Sequence, residues 1–156
     1  MERERNKLLI VGAALSALAA ALHIACIVIG APMYRFVGAG ERMAQMASAG
    51  HWYPTVAALV IAAILSVWAL YALSGAGVIR KLPLLRTALI VITAAYLIRG
   101  IAFVSLMPFF PGNSLLFWLV SSAICVSFGV VHFIGLRQAW ANKQLNARSR
   151  VRHAAH

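Results

Sequence analysis

The chain has 156 residues, of which 63% are hydrophobic and only 11% charged, against roughly 45–50% and 25% in an average soluble domain. That length gives room for one domain, and a soluble globule of that size cannot hide so much apolar surface. Fourteen Lys and Arg against three acids (Glu2, Glu4 and Glu41) give a net charge of +11, and the placement of the basic residues along the chain decides which partners that charge excludes.

Four apolar runs are long enough to cross a bilayer, whose hydrocarbon core needs about 20 residues of helix. The first covers about residues 8–31 and stops before Pro32. A charged start followed by an apolar run resembles a secretory signal, but this run is longer than a signal core of about 7–15 residues. Residues Pro32 to Pro54 form a long outer loop. Met33, Phe36, Val37, Met43, Ala44 and Ala47 recur there at helical spacing, with Arg35, Arg42 and Gln45 opposite. The pattern predicts a short interfacial helix interrupted around Gly38-Ala39-Gly40, with Glu41 at its border and turned away from the two arginines. The second span covers about residues 55–78. The third covers about 87–107, ending at Pro108, and the fourth about 114–136. Residues 1–140 thus form one all-α integral membrane domain, a four-transmembrane-helix bundle, and residues 141–156 a basic cytoplasmic tail.

Orientation follows from the loops. Arg3, Arg5, Lys7, Arg80, Lys81, Arg86, Arg137, Lys143, Arg148, Arg150 and Arg152 fall on one side, and only Arg35 and Arg42 on the other. Cytoplasmic segments carry the excess of Lys and Arg, so both termini are expected in the cytoplasm, in a membrane of the bacterial inner-membrane type. The basic charge then reports topology and excludes nucleic acid as a partner. Trp52, Tyr53 and Trp140 stand where aromatic rings favour the membrane interface.

Helices in lipid pack through small and polar faces, because lipid tails supply no hydrophobic drive. Such stripes run along Gly12, Ser16, Ala19, His23, Cys26 and Gly30, and along Ser114, Trp118, Ser121, Cys125, Gly129 and His132. They leave room for a homodimer or a membrane partner protein without requiring one. Cys26 and Cys125 differ in depth by more than a disulfide allows and are read as small unpaired residues.

Arg99 is the one cation that topology does not explain, since an arginine within a span costs at least ~2.5 kcal/mol at the bilayer centre. It either snorkels outward or meets an anion. Glu41 is the acid outside the N-terminus and its expected partner; a ligand carboxylate or phosphate is the alternative. His23, His51, Tyr34 and Tyr96 are expected to join Arg99 and Glu41 around an outward-facing polar pocket. His132 lies too far below His23 for both to ligate one haem iron. A metal site of His23, His51 and Glu41 matches no known ligand spacing, so no metal and no cofactor is assigned. Phosphate loops, Cys-x-x-Cys pairs and nucleophile elbows are absent from the sequence. The expected function is binding of a small anionic or amphipathic, lipid-like ligand around Arg99. The alternatives are a non-enzymatic accessory or assembly subunit of a membrane complex, or a membrane enzyme of lipid or quinone chemistry.

Overall fold

The computed structural model describes residues 5–109 and 112–154, with side chains described as far as Ala141. Helix α1 (Lys7–Ile29) begins at Asn6, whose Oδ1 accepts the Leu9 N–H at 3.0 Å, as an N-cap should. It ends at Gly30, where φ is +80°, and Pro32 follows in the first turn of α2 (Ala31–Phe36). A proline is tolerated there because that N–H has no partner inside a helix in any case. Helix α3 (Glu41–Ser48) follows, and then α4 (Trp52–Ala76), which closes at Gly77 in the left-handed region. Helix α5 (Leu85–Ile101) gives way to the short α6 (Phe103–Leu106) and a 3-10 turn, Met107–Phe109. Helix α7 (Leu115–Ala154) is continuous through most of the expected basic tail, whose side chains beyond Ala141 lie outside the described residues.

Three helices, α1, α4 and the Leu115–Ala141 part of α7, are long and apolar enough to cross a membrane. The third expected span is different. It is straight only over Leu85–Ile101, and the Phe103–Phe109 segment turns away by 74°, so the apolar run 87–107 makes one shorter helix and a bent end. A straight helix of 17 residues rises roughly 26 Å, a little less than a hydrocarbon core of about 30 Å. Pro108 lies beyond the bend, in the 3-10 turn, where it offers no N–H to the carbonyl of Val104.

The long helices pair antiparallel. Helix α1 lies along α4 and α5 along α7, while α1 and α7 join the two pairs. Close approach comes from glycine. A Cβ on Gly12 would stand 2.8 Å from the His132 ring, and one on Gly135 would stand 2.9 Å from the Leu9 side chain. Outward faces are apolar, with Val28 80% and Val60 52% exposed, as suits surfaces bathed in lipid rather than water. At the end that carries the termini, Asn6 Nδ2 donates to Gly135 O at 2.8 Å and the Asn6 N–H to Ala76 O at 3.1 Å. Ser74, also buried, donates to Arg80 O and accepts the Leu82 N–H, folding the loop after α4 back on the helix.

At the opposite end, the loop helix expected from the sequence is present as α2 and α3, with the break at residues 37–40. Tyr34 and Ala44 are buried against Cys26, Ala31 and Ala58. Gly38 takes φ +74°, and a methyl there would overlap the Phe117 ring. Its carbonyl accepts a hydrogen bond from Asn113 Nδ2 at 3.0 Å. The loop therefore reaches from α1 and α4 across to the start of α7.

Candidate functional site

Arg99 is two residues before the end of α5, half-buried. The next residue, Gly100, faces Ser122 and Val126 of α7, which fixes the level of the Arg99 backbone. The guanidinium does not stay at that level. Its Cζ lies 5.6 Å from the centre of the Trp118 ring, one to two turns nearer the start of α7. A cation over an indole face is attracted by the ring quadrupole, and here the side chain extends towards the loop end, the snorkelling direction. Nη1 is nonetheless enclosed without a hydrogen-bond partner, and so is the Ser122 hydroxyl. Cys125 lies within electrostatic reach of the guanidinium. A buried guanidinium nitrogen with no acceptor is costly.

The expected acceptor is engaged elsewhere. Both carboxylate oxygens of Glu41 take hydrogen bonds from Arg35, at 2.8 Å each from Nε and Nη2. Glu41 thus turns towards an arginine, not away from both, because the break at 37–40 folds the start of α3 back over the end of α2. The pair is half-exposed and bidentate. Arg35 holds the Glu41 carboxyl below its ordinary range, and Glu41 pushes the Arg35 guanidinium higher still. A carboxyl depressed in the folded state contributes stability that is complete above its unfolded pKa and lost as pH falls through the folded one. The protection of the 37–40 turn against hydrogen exchange, taken relative to the intrinsic rate at each pH, should accordingly fall on acidification below the ordinary carboxylate range. Glu41→Gln should show no such pH step; an equal step in both proteins would mean that the pair does not hold the turn.

The other expected residues fall into separate places. Tyr96 sits in the core between the helix pairs: its hydroxyl is 2.9 Å from Ser16 Oγ, and its ring packs on Trp68, Phe128 and His132. Next to it, His132 is completely buried, with Nδ1 donating to Phe128 O at 2.8 Å and Nε2 unpartnered against Gly12. His23 is half-buried and donates from Nδ1 to Ala19 O of its own helix at 2.8 Å. Tyr34 and His51 do come together, around a cavity between α1, α2, α3 and α4. The single pocket expected around Arg99 is therefore resolved into an arginine–indole contact, a surface ion pair, a core tyrosine and a loop cavity. Among the described residues no three His, Cys, Asp or Glu side chains gather as metal ligands, and Cys26 and Cys125 are both free thiols.

Sequence reasoning missed Ser122 and Asn113, and saw Trp118 only as part of a packing stripe. An indole one helix away from an arginine inside an apolar run is the signal that would have found Trp118. No protein-family model, no curated protein and no solved structure matches this chain.

Proposed function

We propose that the chain is a multi-pass membrane protein that binds an amphipathic anion, lipid or lipid-like, at Arg99. In this reading the bent segment completes a fourth span. Both termini are cytoplasmic, as the eleven basic residues on their side favour, and Arg99 serves the outer leaflet of a bacterial-type inner membrane. One observation carries the proposal: an enclosed guanidinium nitrogen beside Trp118, with no acceptor. Glu41, the carboxylate among the described residues, is already occupied by Arg35. A phosphate or carboxylate headgroup would satisfy the guanidinium, and its acyl chain would lie along the apolar flank of α5, where Ile98 and Ile101 are 64% and 71% exposed.

Native mass spectrometry of the full chain in mild detergent, titrated with phosphatidylglycerol and with phosphatidylethanolamine, tests it. The anionic lipid should bind in preference. Arg99→Gln should weaken that binding roughly ten- to a hundredfold, the span of a charge-assisted hydrogen bond, and Arg99→Lys should fall between. Equal lipid retention by the wild type and Arg99→Gln overturns the assignment.

A further inference from the structure

The loop cavity is a different kind of place from Arg99, and none of the residues lining it belongs to α5 or α7. Cys26, Gly30, Tyr34, Ala47, His51 and Thr55 enclose about 270 Å³, open on one side and edged by Trp52. At about 30 Å³ per water, that is room for a compact ring or several waters. It is a little below the usual range of small-molecule pockets.

An unpartnered polar group stands in the cavity wall. Tyr34 is only 3% exposed, its ring held by packing on Cys26, Ala31 and Ala58. Its hydroxyl is fully enclosed and has no hydrogen bond of adequate geometry, although it lies near Thr55. The other polar side chains lining the cavity, the Thr55 hydroxyl and the His51 imidazole, can each donate or accept. The walls between them are apolar, from Ile27, Ala47 and Val56. The enclosed Tyr34 hydroxyl lacks an acceptor, so the group that would complete it is an acceptor oxygen. No Lys or Arg lines the cavity, so a full negative charge would be buried there without a counter-charge, at high cost.

We propose that this cavity binds a small neutral ligand whose carbonyl oxygen accepts the Tyr34 hydroxyl, its ring-sized apolar body lying against Ile27 and Val56. The site is independent of the anion at Arg99 and needs none of the same residues.

Benzamide and benzoate are isosteric probes that differ in charge, and saturation-transfer NMR on the detergent-solubilised full chain reads both. Benzamide should show contact above the micelle background, and benzoate much less. Tyr34→Phe keeps the ring and removes only the hydroxyl. It should weaken benzamide binding roughly five- to tenfold, while Arg99→Gln leaves it unchanged. Tyr34→Phe should also unfold at the same temperature as the wild type or higher, because the hydroxyl it deletes has no partner. Equal benzamide contact in the wild type and Tyr34→Phe overturns the site, as does no contact at all. Stronger binding of benzoate overturns the neutral ligand. A lower unfolding temperature for Tyr34→Phe means that the protein itself bonds the hydroxyl, and that also overturns the proposal.

Discussion

Gly100→Val should be among the most disruptive single changes in this protein. A Cβ at that position would stand 2.6 Å from Val126 Cγ2, 2.9 Å from Val126 N and 3.0 Å from Ser122 O. The last two are backbone atoms of a neighbouring helix and cannot rotate aside, so α5 and α7 must separate. Overpacking typically costs about 1–3 kcal/mol, and valine brings two further methyls to the same contact. Thermal unfolding in detergent should fall sharply for Gly100→Val and by an intermediate amount for Gly100→Ala. Gly75→Ala is the comparison. Its nearest neighbours are the ends of the Leu89 and Leu9 side chains, which can move, so its loss should be small. Equal losses at both positions would show that the α5–α7 contact is looser than these distances imply.

Trp118→Ala should cost about 3–5 kcal/mol, the usual range for emptying a large aromatic site, since Trp118 is the largest fully buried side chain among the described residues and only 2% exposed. It also removes the ring beneath Arg99. Trp118→Phe, which keeps an aromatic face, should lose less. The losses from Trp118→Ala and Arg99→Gln should not add, because the contact is shared; the coupling expected of a cation over an indole is about 0.5–2 kcal/mol. Chemical or thermal denaturation of the two single mutants and the double mutant measures it. Strict additivity would mean that the guanidinium gains nothing from the ring.

Much of the helical plan was legible because it rests on local chemistry. Apolar runs set the long helices, Pro32 separated α1 from α2, and the glycines at 38 and 40 set the break before α3. The bend after Ile101 was not legible. Hydropathy along residues 87–107 is continuous, and an apolar segment that lies across the helices reads the same as one that extends them. The candidate site was legible in its residue types and not in its pairings. Arg35 and Glu41 are six apart, off any helical spacing, and meet only because the intervening turn folds back. With that carboxylate taken, Arg99 had to be placed by tertiary contact, which put it on Trp118. Tyr96 was expected beside Arg99 in the outward-facing polar pocket. In the structure its shorter side chain points into the core and its hydroxyl meets Ser16, while the longer arginine reaches towards the loop end.

The hold that Asn6 keeps on Gly135 joins positions 129 residues apart, and this has a consequence for assembly on the ribosome. Helices α1 and α4 emerge first and can pair at once, through their own contact and the Asn6–Ala76 hydrogen bond. The face of α1 that carries Leu9 and Gly12 must wait for α7, which is synthesised last and supplies Gly135 and His132. The nascent chain thus keeps an open, small-residue face through most of its synthesis, and closing it is a late step that ties the first helix to the last.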